Sequence, residues 1–67
     1  MNAEEMFKKL GYKKVQMGSS GLLYYERDGY DQYFGFDLIS KEIGVHDYFI
    51  TMEELKAINK QCEELGW

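Results

Sequence analysis

Few side chains in this 67-residue chain are of types that do covalent or metal chemistry. His46 is its single histidine and Cys62 its single cysteine. A nucleophilic site would need a hydroxyl or thiol beside His46 and an acid behind it to orient the ring. Asp47 follows His46 directly, but neighbours on a strand point to opposite faces, so the two cannot act as base and orienter. Ser19, Ser20 and Ser40 all fall in turn segments, where serine bonds to local backbone. Metal binding through His46 and Cys62 would leave a tetrahedral set two ligands short. The run Asp28-Gly29-Tyr30-Asp31, with Glu26 nearby, looks like a fragment of a calcium loop. It lacks the spacing and the closing glutamate that such a loop needs. Gly18-Ser19-Ser20-Gly21 has neither the lysine nor the strand-to-helix setting of a phosphate loop. The expectation is a non-enzymatic protein with no catalytic residue, metal or cofactor.

Composition narrows the partners. The chain is 45% hydrophobic and 16% aromatic, too apolar to stay disordered. Its net charge of −4 argues against direct nucleic-acid binding and against an anionic membrane surface. One cysteine excludes an internal disulfide, and its place on a helical stripe makes Cys62 a small buried hydrophobe. Met1-Asn2-Ala3-Glu4-Glu5 has neither the basic region nor the apolar run of a signal peptide, and no apolar run is long enough to span a membrane. These features point to a soluble, cytoplasmic protein.

The best-defined element is a C-terminal helix. Thr51 and Glu54 form a capping box, Ile50 and Leu55 stand at the staple positions, and Glu53 and Glu54 face the positive helix end. Leu55, Ile58, Cys62 and Leu65, with Met52 one step earlier, make an apolar stripe. Lys56, Asn59, Lys60, Gln61, Glu63 and Glu64 read as solvated. Gly66 supplies a left-handed cap, with Trp67 folding back onto Cys62. A shorter helix opens at Asn2, capped reciprocally with Glu5 and stapled by Met1 and Met6. Its apolar face is Met6, Phe7 and Leu10, and Gly11 stops it.

Between the helices, β-branched and aromatic residues alternate and glycines mark turns. Strands are expected at about 12–17, 22–27, 30–38 and 43–49. The fold class is α+β in one domain over 1–67. It comprises a short N-terminal helix, an antiparallel sheet of three to four strands and a longer C-terminal helix, with both helices on one sheet face.

Asp28-Gly29 is a strong signal for a two-residue hairpin. That register pairs Tyr25 with Gln32 and Leu23 with Phe34. A second loop at 39–42 pairs Leu38 with Ile43 and Phe36 with Val45. One face then carries Leu23, Tyr25, Phe34, Phe36, Leu38, Ile43 and Val45, and both helices should cover it. Two places strain this scheme. A four-residue loop at 18–21 would send Val15 and Met17 to the polar face, so a bulge or odd loop is expected there. Asp47 would land on the core face, so a bulge or strand end is expected near it.

The opposite face carries Leu22, Tyr24, Glu26, Asp31, Tyr33, Asp37, His46 and Tyr48. Tyr24, Tyr33, His46 and Tyr48 form the candidate partner-binding cluster, since tyrosine buries a large ring while keeping a polar tip. The expected partner is another protein or a second copy, because exposed aromatic area favours a homodimer through this face. The alternative is an acidic mimic that occupies the basic site of a nucleic-acid-processing enzyme.

The segment Ile50-Thr51-Met52-Glu53-Glu54-Leu55-Lys56-Ala57-Ile58-Asn59-Lys60-Gln61, the ending Glu63-Glu64-Leu65-Gly66-Trp67 and the opening Met1 to Tyr12 carry a resemblance. They resemble a group of very small uncharacterised proteins of Gram-positive bacteria and their phages or other mobile elements. The resemblance covers both ends well and the middle in outline. It implies a cytoplasmic bacterial or phage protein of α-β-α order, and brings no catalytic residue, because its motifs are caps and core positions.

Overall fold

The computed structural model describes residues 1–16, 21–46 and 49–67. Helix α1 spans Ala3–Lys9, strands β1 to β4 span Tyr12–Gln16, Leu22–Arg27, Tyr33–Asp37 and Glu42–Val45, and helix α2 spans Met52–Glu64. The four strands form one antiparallel sheet in the order β1-β2-β3-β4, with both helices against it. The α+β class and the element order are as expected. The third and fourth strands are shorter than expected. Met17 and Asp47 lie outside the described residues, as does any bulge at Asp47.

Both capping boxes form, because each needs only residues three apart. Glu5 N–H donates to Asn2 Oδ1 at 2.8 Å, and Asn2 N–H donates to Glu5 Oε1 at 3.1 Å. At α2, Glu54 N–H donates to Thr51 Oγ1 at 3.0 Å, and Thr51 N–H donates to Glu54 Oε1 at 2.8 Å. At the far end Gly66 takes φ +78°, and Trp67 N–H donates to Cys62 O at 2.8 Å, the long bond of a left-handed C-cap. The indole also packs near the Phe36 ring. Of the expected staples, Met1 and Ile50 are both exposed.

The hairpin registers differ from expectation by two residues each. Tyr25 pairs with Phe34 and Leu23 with Phe36, while Phe36 pairs with Ile43 and Phe34 with Val45. A two-residue type I′ turn needs positive φ at both central residues, and Asp28 does not adopt it, although Gly29 does. Tyr30 N–H instead donates to Arg27 O, and Arg27 N–H closes the hairpin on Gln32 O. The Arg27 guanidinium sits 4.1 Å from the centre of the Tyr30 ring. In the β3–β4 turn, Asp37 Oδ1 accepts from the N–H groups of Ile39 and Ser40, and Lys41 closes the turn at φ +59°. A slip of two leaves every side chain on its expected face.

Strand β1 shows no bulge within its described residues. Val15 pairs with Tyr24 and Lys14 with Tyr25, so Val15 does lie on the polar face. Tyr12 takes the core position instead, and Lys14 reaches sideways to Glu4 of α1 at 3.7 Å.

Phe7 of α1 is the centre of the core. It is fully buried and stacks on Tyr25 with centroids 3.9 Å apart, with Tyr12, Phe34 and Phe36 around it. Val45 and Ile43 are not covered by the helices, contrary to expectation. They are 41% and 39% exposed, since the two helices spend their apolar surface on β1, β2 and β3.

Helix α2 is also turned relative to its expected stripe. Its buried residues are Glu54, Ala57, Ile58 and Gln61, while Leu55, Cys62 and Leu65 are half-buried and Met52 is exposed. Two tyrosine hydroxyls explain the rotation. Tyr12 OH donates to Glu54 Oε2 at 2.6 Å, and Tyr25 OH donates to Gln61 Oε1. A buried hydroxyl without an acceptor is costly, so the polar residues Glu54 and Gln61 turn inward. Gln61 is therefore a core residue rather than a solvated one. Among the described residues, every buried side-chain nitrogen or oxygen has a partner.

Glu54→Ala removes both the cap reciprocity and the acceptor of Tyr12, and is expected to cost about 2–4 kcal/mol, read as a fall in the urea midpoint. Glu54→Gln keeps an acceptor and should cost less. Burial, then the Glu54 carboxylate, pushes the Tyr12 phenol well above its ordinary range, and burial foremost raises Tyr25 to about 12. The folded state therefore holds these protons more tightly than the unfolded chain. Their stabilisation is complete below the unfolded value of 10.0 and is lost as pH rises through 12 and above. Thermal unfolding followed across this alkaline range should show that decline, reduced in Tyr12→Phe.

Candidate binding face

The sheet face away from the helices is built from three rows of side chains. Lys13, Glu26, Tyr33 and His46 form one row. Val15, Tyr24, Gly35 and Gly44 form the next, and Leu22, Asp37 and Glu42 the third. Strand alternation places all of them opposite the core positions Leu23, Tyr25, Phe34 and Phe36.

Three of the four expected contact residues come together. The His46 ring stacks on Tyr33, with centroids 4.8 Å apart and planes 7° from parallel. Tyr24 meets Tyr33 edge to face at 6.4 Å. Tyr48 lies outside the described residues. His46 Nε2 stands 3.4 Å from Asp31 Oδ2, in the open where water screens the pair. Among the described residues, the acid beside His46 is thus Asp31, from the β2–β3 loop. Ser40 is held in the β3–β4 turn, and Cys62 is half-buried on α2 across the sheet, where burial pushes its thiol upward. Neither supplies a nucleophile to His46. Among the described residues, no three His, Cys, Asp or Glu side chains converge on a common metal position.

Two further residues belong to this face, Gly35 and Gly44. They pair directly across β3 and β4, and neither has a positive φ. A Cβ added to either would meet nothing within 4 Å. Neither backbone conformation nor crowding within the chain calls for glycine here, although glycine weakens a strand interior. The missing side chains leave a groove of about 710 Å³. Tyr24 and Tyr33 wall it on one side, Asp37 and Glu42 on the other, and Leu22 and Glu26 complete the rim. Backbone N–H groups of Ser40 and Ile39 hold the Asp37 carboxyl below the usual carboxylate range, so the rim keeps this charge in mild acid. The alternation Phe34-Gly35-Phe36 and Ile43-Gly44-Val45 carries the signal in sequence: each glycine stands on the open face between two core-face residues.

Comparison with known proteins finds no family model, no curated protein and no solved structure that matches the chain. Among the described residues, no helix is long and apolar enough to cross a membrane.

Because the space above both glycines is empty, Gly35→Ala and Gly44→Ala should each raise the unfolding free energy by about 0.5–1 kcal/mol. Urea titration reads this directly. A loss of stability would mean that the backbone itself requires glycine there.

Proposed function

We propose that the chain is a non-enzymatic protein-interaction domain, an accessory factor of phage or mobile-element origin that works in the cytoplasm. The resemblance at its two ends supports the origin. The carrying observation for the interaction is the glycine-floored groove beside Tyr24, Tyr33 and His46. Aromatic walls give contact area, and an empty floor gives a partner side chain somewhere to go. The inward faces of both helices are spent on the core. Self-association through the same face would make a homodimer.

A second reading draws on the carboxylates Glu26, Asp37 and Glu42 at the groove rim. An acidic surface of this kind can stand in for phosphates in the basic site of a nucleic-acid-processing enzyme.

Capture from a bacterial host lysate separates these readings. The tyrosine-face reading predicts that Tyr24→Ser/Tyr33→Ser loses the captured protein while remaining folded, and a partner retained by that variant overturns it. Mimicry predicts that duplex DNA displaces the partner and that added salt releases it. Sedimentation at several concentrations tests the homodimer.

A further inference from the structure

We infer that the groove over Gly35 and Gly44 receives an arginine side chain from a basic, extended segment of a protein partner. This rests on the open sheet face being an interaction surface and names what that surface recognises. Three features of the groove fit a guanidinium. Its floor is two bare glycine backbones side by side, on which a flat group can lie. Its aromatic wall, Tyr24 and Tyr33, offers ring faces and edges to a delocalised cation. Its opposite wall, Asp37 and Glu42, offers carboxylates for charge-assisted hydrogen bonds.

Charge decides among the occupants. The chain carries a net charge of −4, and the charged side chains that line the groove, Glu26, Asp37 and Glu42, are all acidic. A nucleic acid or an anionic lipid surface would be repelled there. A second copy brings Lys13 as the sole lysine or arginine on the described strands of this face, at the outer edge of β1. A basic segment matches both the sign of the rim and the shape of the floor. The chain already holds one guanidinium against a tyrosine ring, Arg27 over Tyr30.

The probe is a blocked pentapeptide with a central arginine flanked by alanine and glycine. Its control carries citrulline, which has the shape of arginine without its charge. Backbone amide NMR of the full chain reads the site. The arginine peptide should move the Gly35 and Gly44 signals saturably, with binding about tenfold tighter than that of the citrulline peptide. Added salt should weaken it. Gly35→Thr/Gly44→Thr fills the floor and should abolish the response while the α2 signals stay in place. Glu42→Gln, an exposed change with no fold contact to lose, should weaken the response several-fold.

Equal response to both peptides overturns the inference, as does movement that bypasses the two glycines. Glycine signals that shift with protein concentration alone would give the groove to a second copy, and also overturn it. If lysate capture depends on Tyr24 and Tyr33 yet the arginine peptide neither binds nor competes, the interaction surface stands and the arginine assignment falls. If capture is indifferent to those tyrosines, the broader reading falls as well.

Discussion

The structure depends on two phenol hydroxyls that folding takes out of water. Tyr12 and Tyr25 are both nearly inaccessible, and each must find an acceptor inside. Helix α2 supplies them through Glu54 and Gln61, seven positions and about two turns apart on one helical face. With Ala57 and Ile58 between them, those residues set the rotation and the axial position of the helix on the sheet. Glu54 joins this long-range bond to the local cap, since one carboxylate oxygen serves Thr51 N–H and the other serves Tyr12. Helix initiation and tertiary docking are thereby coupled through a single side chain. Near the other end of α2, Glu64 accepts from Ala3 N–H at 2.8 Å and ties the two helices together.

This docking determines which surfaces are left for a partner. Phe7, Tyr12, Tyr25, Phe34 and Phe36 fill the space between helices and sheet with aromatic rings. Both helices are committed to that side, and α2 presents mixed charge outward through residues such as Lys56, Asn59 and Glu63. Among the described residues, no element covers the other side of the sheet. It carries aromatic side chains, a carboxylate rim and a floor from which side chains have been removed. A small sheet gains stability from β-branched or aromatic residues at such positions, so two facing glycines are a sacrifice that the fold itself does not use.

Local chemistry was readable from the chain, and so was the division into faces. The caps at Asn2 and Thr51 involve residues three apart and owe nothing to tertiary context. The core positions Leu23, Tyr25, Phe34 and Phe36 follow from alternation alone, and survive a register slip of two because side chains alternate with that same period. Loop closure was less readable. Asp28-Gly29 favours a tight turn, but Asp28 keeps a negative φ and the closing pair moves out to Arg27 and Gln32. The helix stripe was displaced for a reason that hydropathy does not carry, since only the packed sheet shows that Gln61 must meet a hydroxyl. On the candidate face, Tyr24, Tyr33 and His46 were legible as neighbours. The groove was not, because it is made by absent side chains, and a glycine is easily taken for a turn.

The central claim is that the uncovered sheet face, and not the outer face of α2, is where a partner sits. Hydrogen exchange of the chain bound to its captured partner tests this most directly. The account predicts added protection of backbone amides in β3 and β4, with α2 exchanging as in the free protein. Protection confined to the turns of α2 that carry Lys56, Asn59 and Glu63, with β3 and β4 unchanged, would contradict it.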